Sequence, residues 1–198
     1  MEMKIFDLYE TKDVKVEDMS LKRAINLDEK LILKSHGRNV EKFGKTKVNI
    51  VERLICLLGV PGHRGKKHKM MCNWSSGKYE RNASTVLDAL KIIQTKSGGQ
   101  NPIQVFVKAI ENCAPRDEIT VIEYGGARYP QAVDVSPIRR VALALRNMLH
   151  GASDKAFNKK ASIAEALANE IFLASQNSNE SFACQKRNET EKQADSAR

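Results

Sequence analysis

The chain has 198 residues, with 33 Lys and Arg against 24 Asp and Glu, a net charge of +9 at pH 7 and an isoelectric point near 9.4. That length suits one domain with a real core, and the basic excess argues for a polyanionic partner, nucleic acid or an anionic membrane surface. No apolar run approaches the roughly 18–20 residues of a bilayer span, and MEMKIFDLYE has no signal-peptide pattern, so a cytoplasmic protein with no membrane partner is expected.

Residues 1–46 show weak periodicity and several charge clusters, which predicts an extended, loosely structured basic arm ahead of a helical RNA-binding domain over 47–198. Within KSHGRNVEKFGKTK the cations Lys34, Arg38, Lys42, Lys45 and Lys47 face a single acid, Glu41, and Gly37 and Gly44 interrupt any helix. An arm of this kind lies along a phosphate backbone or stays disordered.

The first helix is VNIVERLICLL, where Val51, Leu54, Ile55 and Leu58 form one apolar stripe and Gly59, Pro61 and Gly62 stop it. Residues 59–79 then carry Arg64, Lys66, Lys67, Lys69 and Lys78 with no acid, together with Trp74 and Tyr79. Loops this long inside a domain tend to be functional. Cations with aromatics between them suit RNA, because phosphates meet the charge and unstacked bases meet the rings. The plainer reading is a solvated loop with Trp74 tucked into the core.

A second helix places Ala83, Val86, Leu87, Leu90 and Ile93 in register and ends at KSGG. Asn101-Pro102 opens a third by cap-and-first-turn logic, with Ile103, Phe106, Ile110 and Cys113 inward and Pro115 as the stop. The segments ITVIEY and RYPQAVDV, joined by Gly125-Gly126, predict a projecting β-hairpin over 118–135. Pro130 confines its strand to an edge. A fourth helix is expected over 137–149, with Ile138, Val141, Ala142, Leu145 and Met148 inward, Gly151 as its C-cap, and Arg139, Arg146 and His150 on one outward face. Ser162 and Glu165 form a capping box for a fifth helix that buries Ile163, Leu167, Ile171 and Ala174. The C-terminal SFACQKRNETEKQADSAR has few apolar anchors beyond Phe182, Ala183 and Ala194, so a weak, fraying helix is expected. The fold class is mainly α: a bundle of about six helices with a two-stranded hairpin.

Four cysteines, Cys56, Cys72, Cys113 and Cys184, show no repeated spacing. This is no disulfide framework and fits a reducing compartment. Cys56 and Cys113 sit in apolar patterns and are expected to fill the core. His63, His68 and Cys72 lack the fourth ligand of a zinc site. There is no Gly-rich phosphate loop, no HExxH pair and no nucleophile frame. Asp117-Glu118 reads as a strand entry, so no catalysis, metal or cofactor is expected.

The start of the fourth helix poses a specific question. Ser136 and Pro137 suit an N-cap and a first helical residue, yet Arg139 and Arg140 place two cations at the positive end of the dipole, each costing about 0.3–1 kcal/mol when exposed. An external phosphate at the helix N-terminus accounts for them. The alternative is pairing with hairpin acids such as Asp134 or Glu123.

GKTKVNIVERLI, NPIQVFVKAIENCAPRDE, YGGARYPQAVDVSPIRRVALALRN and SFACQKRNETEKQADSAR resemble the universal small-subunit ribosomal protein seven, called protein five in eukaryotes. The resemblance runs from about residue 20 to Arg198, and INL and AVDVSP favour the archaeal and eukaryotic branch. Loop 59–79 is similar to an archaeal insertion. The resemblance implies a helical bundle with a β-ribbon on the 3′ major domain of the small-subunit rRNA, beside other head and platform proteins. It implies an early role in head assembly, a hairpin near the exit-site tRNA and a tail near the mRNA exit path. The rRNA contacts expected are Lys34, Arg38, Lys42, Lys45, Lys47, Arg64, Lys66, Lys67, Lys69, Trp74, Lys78, Arg116, Arg139, Arg140 and Arg146. Arg128, Tyr129, Lys186, Arg187 and Arg198 are expected near tRNA or mRNA. The chain departs from relatives in having one tip cation, Arg128, and in having Asn188 and Gln193 in its last helix. The other readings from the residues alone are a non-ribosomal RNA- or DNA-binding module and a helical scaffold for acidic proteins.

Overall fold

A computed structural model describes residues 4–30, 32–35, 40–60, 63–64, 69–70 and 75–198. After a 3₁₀ turn at Gly44–Lys47, the described elements run α1 (Ile50–Leu58), β1 (His63–Arg64), β2 (Lys69–Met70), α2 (Tyr79–Lys96), α3 (Pro102–Cys113), β3 (Asp117–Tyr124), β4 (Ala127–Asp134), α4 (Pro137–Ala156), α5 (Ile163–Ser175) and α6 (Phe182–Ser196). Local caps set most helix starts. Asn49 Oδ1 accepts from the Val51 N–H at 2.9 Å, and Asn101 Oδ1 from Ile103 at 3.0 Å. Ser162 and Glu165 close the expected capping box, and Ser181 caps α6. Ser136 takes the N-cap position of α4 with extended backbone but makes no side-chain capping bond.

Helix α5 packs on α2, α3, α4 and α6. Its sequence IAEALANEIFLAS is apolar around much of its circumference, as a helix with neighbours on several sides must be, and Ala166, Leu167, Ala168, Ile171 and Ala174 are buried. The small alanines let four helices approach it. The stripes read from the sequence line the core around it: Leu54, Val86, Ile93, Phe106, Ile110, Leu145 and Met148 are almost wholly excluded from solvent.

The arm is extended, but it is not loose. Ile5, Tyr9, Leu21, Ala24, Ile25 and Leu33 belong to the core. Its backbone is held by polar side chains of α3. Asn101 Nδ2 donates to the Glu10 carbonyl at 2.7 Å, and Gln104 accepts from the Lys15 N–H at 2.8 Å while donating back to its carbonyl at 3.0 Å. Glu111 Oε1 takes the N–H groups of Glu17 and Asp18 at 2.7 and 3.0 Å. A segment with no α-helix or named strand thus has its backbone groups satisfied by local turns and by side chains.

The hairpin pairs Asp117 with Asp134 through to Tyr124 with Ala127. Gly125 and Gly126 sit at φ 58° and 80°, the left-handed pair that a two-residue turn requires. Its base packs on α6, while Val121, Ile122, Tyr124 and Tyr129 nearer the tip are exposed. A second, very short ribbon of β1 with β2 lies within what the sequence suggests is only a loop.

Two expectations are corrected. Cys113 fills the core as expected, but Cys56 is exposed on α1. Gly151 is not a C-cap, because α4 continues to Ala156. The glycine serves a close helix approach instead: a Cβ there would lie 2.8 Å from Phe182 Cβ and 2.9 Å from Glu170 Cδ. Gly151→Ala is therefore expected to cost about 1–3 kcal/mol through overpacking, despite the better helix propensity of alanine, and a urea unfolding midpoint would show it. Helix α6, for its part, is continuous over Phe182–Ser196. Of its few apolar anchors Ala183 and Ala194 are fully buried, as is Cys184, while Phe182 is half-buried, and polar contacts supply the rest.

Candidate nucleic-acid interface

The expected cations divide by what they touch. Arg140 is buried, with 6% of its surface exposed. Its Nε donates to the Pro115 carbonyl at 3.1 Å, one terminal nitrogen donates to Ser20 Oγ, and the other meets Asp18 Oδ2 at 3.0 Å. It therefore joins α4, the α3–β3 connection and the arm. This corrects the picture of two arginines offered jointly to an anion, because the Arg140 donors are consumed inside the fold. The acids involved are not the hairpin residues named from the sequence, since an extended arm brings Asp18 across 122 positions.

Arg139 is exposed, with its Nε 2.7 Å from Glu118 Oε1 at the hairpin base. Glu118 is half-buried, but the arginine is open to water, and a pair at this surface is worth about 1 kcal/mol, so it can be exchanged for a phosphate. Arg146, seven residues on, is two turns along the same face and about 10 Å away by helical rise. Arg146 and Arg116 have exposed side chains and, like Lys42 and Lys45, form no ion pair among the described residues. Lys159 and Lys160, in the turn after α4, are exposed in the same way. Sequence reading passed over them because two lysines in a turn carry no periodic signal.

Other expected residues are engaged internally. Lys47 pairs with Glu41. Lys34 is half-buried, with its ammonium 5.0 Å from the centre of the Tyr79 ring, an attractive cation–π distance. Lys78 is exposed at the α2 N-cap and has an interaction of its own within the chain. Arg128 faces Glu123 across the hairpin at 3.6 Å, both exposed. Tyr129 is exposed nearby, and the structure adds Tyr124 beside the turn. At the C-terminus, Lys186 pairs with Glu189 and lies 5.8 Å from the Phe182 ring centre. Arg187 donates to the Asn112 carbonyl and to Asn188 Oδ1, bonding α6 to the end of α3. Arg198 reaches Asp117 Oδ2 at 2.6 Å and closes the tail on the hairpin base.

Arg64 and Lys69 lie on the β1–β2 ribbon. Arg38, Lys66, Lys67 and Trp74 lie outside the described residues, as do His68 and Cys72. Among the described residues no cluster of three or more His, Cys, Asp or Glu could hold a metal ion, and no helix is long and apolar enough to cross a membrane. A cleft of about 450 Å³ between the arm, α3 and α6 mixes Arg116, Arg187 and Arg198 with Glu111, Asp117 and Glu191. Acids slightly outnumber cations along its walls, so the cleft as a whole does not favour an anion, although the exposed Arg116 is open to one.

An α-helical bundle with a projecting ribbon, a backbone-pinned arm and a strong excess of cations has the features of a nucleic-acid-binding protein. The chain belongs to the family Ribosomal protein S7p/S5e, whose model matches residues 21–198. It is 49% identical over 199 residues to the small ribosomal subunit protein uS7 of Nanoarchaeum equitans, covering 100% of both chains. The protein of the same name from Methanosphaera stadtmanae is 46% identical over 198 residues, again across 100% of both. That from Methanothermobacter thermautotrophicus is 45% identical over 194 residues, 98% of each chain.

Proposed function

We propose that this chain is a structural constituent of the small subunit of the cytoplasmic ribosome, where it binds the 3′ major domain of the small-subunit rRNA and helps nucleate the head. The observation that carries this reading is the end-to-end similarity to small-subunit proteins at 45–49% identity. The surface agrees with it. Arg139, Arg146, Arg116, Lys42, Lys45, Lys159 and Lys160 form the proposed phosphate-facing set, and Arg140, Arg187 and Arg198 hold the scaffold that presents it. Neighbouring head and platform proteins are the protein partners. The hairpin, with exposed Tyr124, Arg128 and Tyr129 near its tip, is proposed to face the exit-site tRNA, its rings suited to stacking on bases. The α6 end is proposed to lie by the mRNA exit path.

Binding to an rRNA fragment of the 3′ major domain is expected to weaken steeply with salt. About five phosphate contacts, each contributing roughly −0.7 to −0.9, give a log–log slope near −4. Filter binding across a salt series measures it. A slope near zero would remove the phosphate reading. The Lys66, Lys67 and Lys69 triple alanine variant, with its circular dichroism unchanged, is expected to bind that fragment about tenfold or more weakly.

A further inference from the structure

We propose that Cys113 and Cys184 are an oxidisable pair, able to close a covalent bond between the end of α3 and the first turn of α6. The two residues are 71 positions apart, and their sulfurs lie 3.5 Å from each other. Both are excluded from solvent. A disulfide needs the sulfurs at about 2.0 Å, so side-chain rotation and a small approach of the two helices complete it. The backbone is already held in place for this. Arg187, one turn beyond Cys184, donates to the carbonyl of Asn112, the neighbour of Cys113. On the other side, the Cys184 N–H is bonded to Ser181 Oγ at 3.4 Å.

The two thiols are not equivalent. The two sulfurs share a hydrogen bond that favours one thiolate, and the Ser181 hydroxyl beside Cys184, with the nearby Arg187 guanidinium, draws the Cys184 thiol below its ordinary range, whereas Cys113 is pushed up by the same contact and by burial. Cys184 is therefore the first to act. With hydrogen peroxide as oxidant, the Cys184 thiolate attacks one peroxide oxygen and the O–O bond breaks. The departing hydroxide takes a proton, leaving a sulfenic acid and one water. The Cys113 sulfur then attacks the Cys184 sulfur, and its proton leaves with the displaced hydroxide as a second water. Two thiols and one peroxide become one disulfide and two waters. Peroxide is small enough to enter on local opening of the α6 N-terminus.

The product would fasten α6, the helix with the fewest apolar anchors, to the core. The test uses the full chain carrying Cys56→Ser and Cys72→Ser, reduced and then exposed to peroxide. Both remaining thiols are expected to be lost, with a mass decrease of two hydrogens and a linked peptide pair containing Cys113 and Cys184. Dithiothreitol should reverse all three, and the oxidised form should melt about 5 °C or more higher. The unsubstituted chain should give the same linked peptides, so the result does not depend on the serine variants folding. Adding Cys184→Ser should protect Cys113. Thiols that stay free after this treatment, or sulfurs that gain oxygen without linking, would overturn the proposal and leave two cysteines that only pack.

Discussion

Glu170→Ala is expected to destabilise the fold by roughly 3–5 kcal/mol, the range for removing one partner of a buried charged network. The Glu170 carboxylate is wholly excluded from solvent. Its Oε1 accepts from Ser181 Oγ at 2.8 Å and from the Ala183 N–H at 3.1 Å, and its Oε2 meets Lys155 Nζ at 2.7 Å. One side chain of α5 thus satisfies the first turn of α6 and neutralises the last basic residue of α4. The negative charge also sits at the positive end of the α6 dipole, where it is favoured. Truncation leaves the Ser181 hydroxyl and the Ala183 N–H without their acceptor in a site water does not reach. Glu170→Gln preserves one acceptor but turns an amide toward Lys155, so an intermediate loss is expected. Urea unfolding followed by circular dichroism measures both. A loss for Glu170→Ala below about 1 kcal/mol would mean that the network contributes little.

The helices of the bundle were legible because their stripes repeat at helical spacing and their starts carry Asn, Ser and Pro. The hairpin was legible because strand alternation stops at Gly125-Gly126. What escaped has a common physical origin. The arm residues Ile5, Leu21, Ile25 and Leu33 are core, but an arm pinned by Asn101, Gln104 and Glu111 needs no period of its own. Gly151 near a helix end looks like a terminator, and only the neighbouring Phe182 and Glu170 reveal a close approach. Arg53, on the apolar helix α1, is buried with one guanidinium nitrogen donating to the Ala24 carbonyl at 2.8 Å. Such a cation cannot be told from a surface one without its distant acceptor. The same holds for the interface: net charge predicts a polyanionic partner, but which arginines remain outward depends on contacts made across the whole chain.

Arg140 and Arg139 are adjacent in sequence and expected to behave in opposite ways. The dipole alone predicts that removing both would leave the free protein as stable or slightly more stable. The contacts reverse that expectation for Arg140. Arg140→Ala strips the donors from Asp18, Ser20 and the Pro115 carbonyl and should cost about 3–5 kcal/mol, as for other broken buried pairs. Arg139→Ala loses only a surface pair with the half-buried Glu118, about 1 kcal/mol, and should instead weaken rRNA binding and lower its salt slope by roughly one phosphate contact. The Arg140 clamp also makes arm docking pH-dependent. Partial burial pulls the Asp18 carboxyl upward, but the hydrogen bonds from Ser20 and the Arg140 guanidinium outweigh it, and the net shift is below the ordinary 3.8. A carboxyl with a depressed folded pKa adds stability that is complete above its unfolded value and is lost as pH falls through the folded one. The contribution should therefore be present at neutral pH and disappear below about pH 4. Asp18→Asn should lower stability at pH 7 and flatten this acid limb, while Arg139→Ala leaves the limb intact. Unfolding midpoints from pH 7 down to the acid limb, measured on Arg140→Ala, Arg139→Ala and Asp18→Asn, separate the two arginines. An acid limb unchanged by Asp18→Asn would show that the Asp18–Arg140 contact contributes nothing to arm docking.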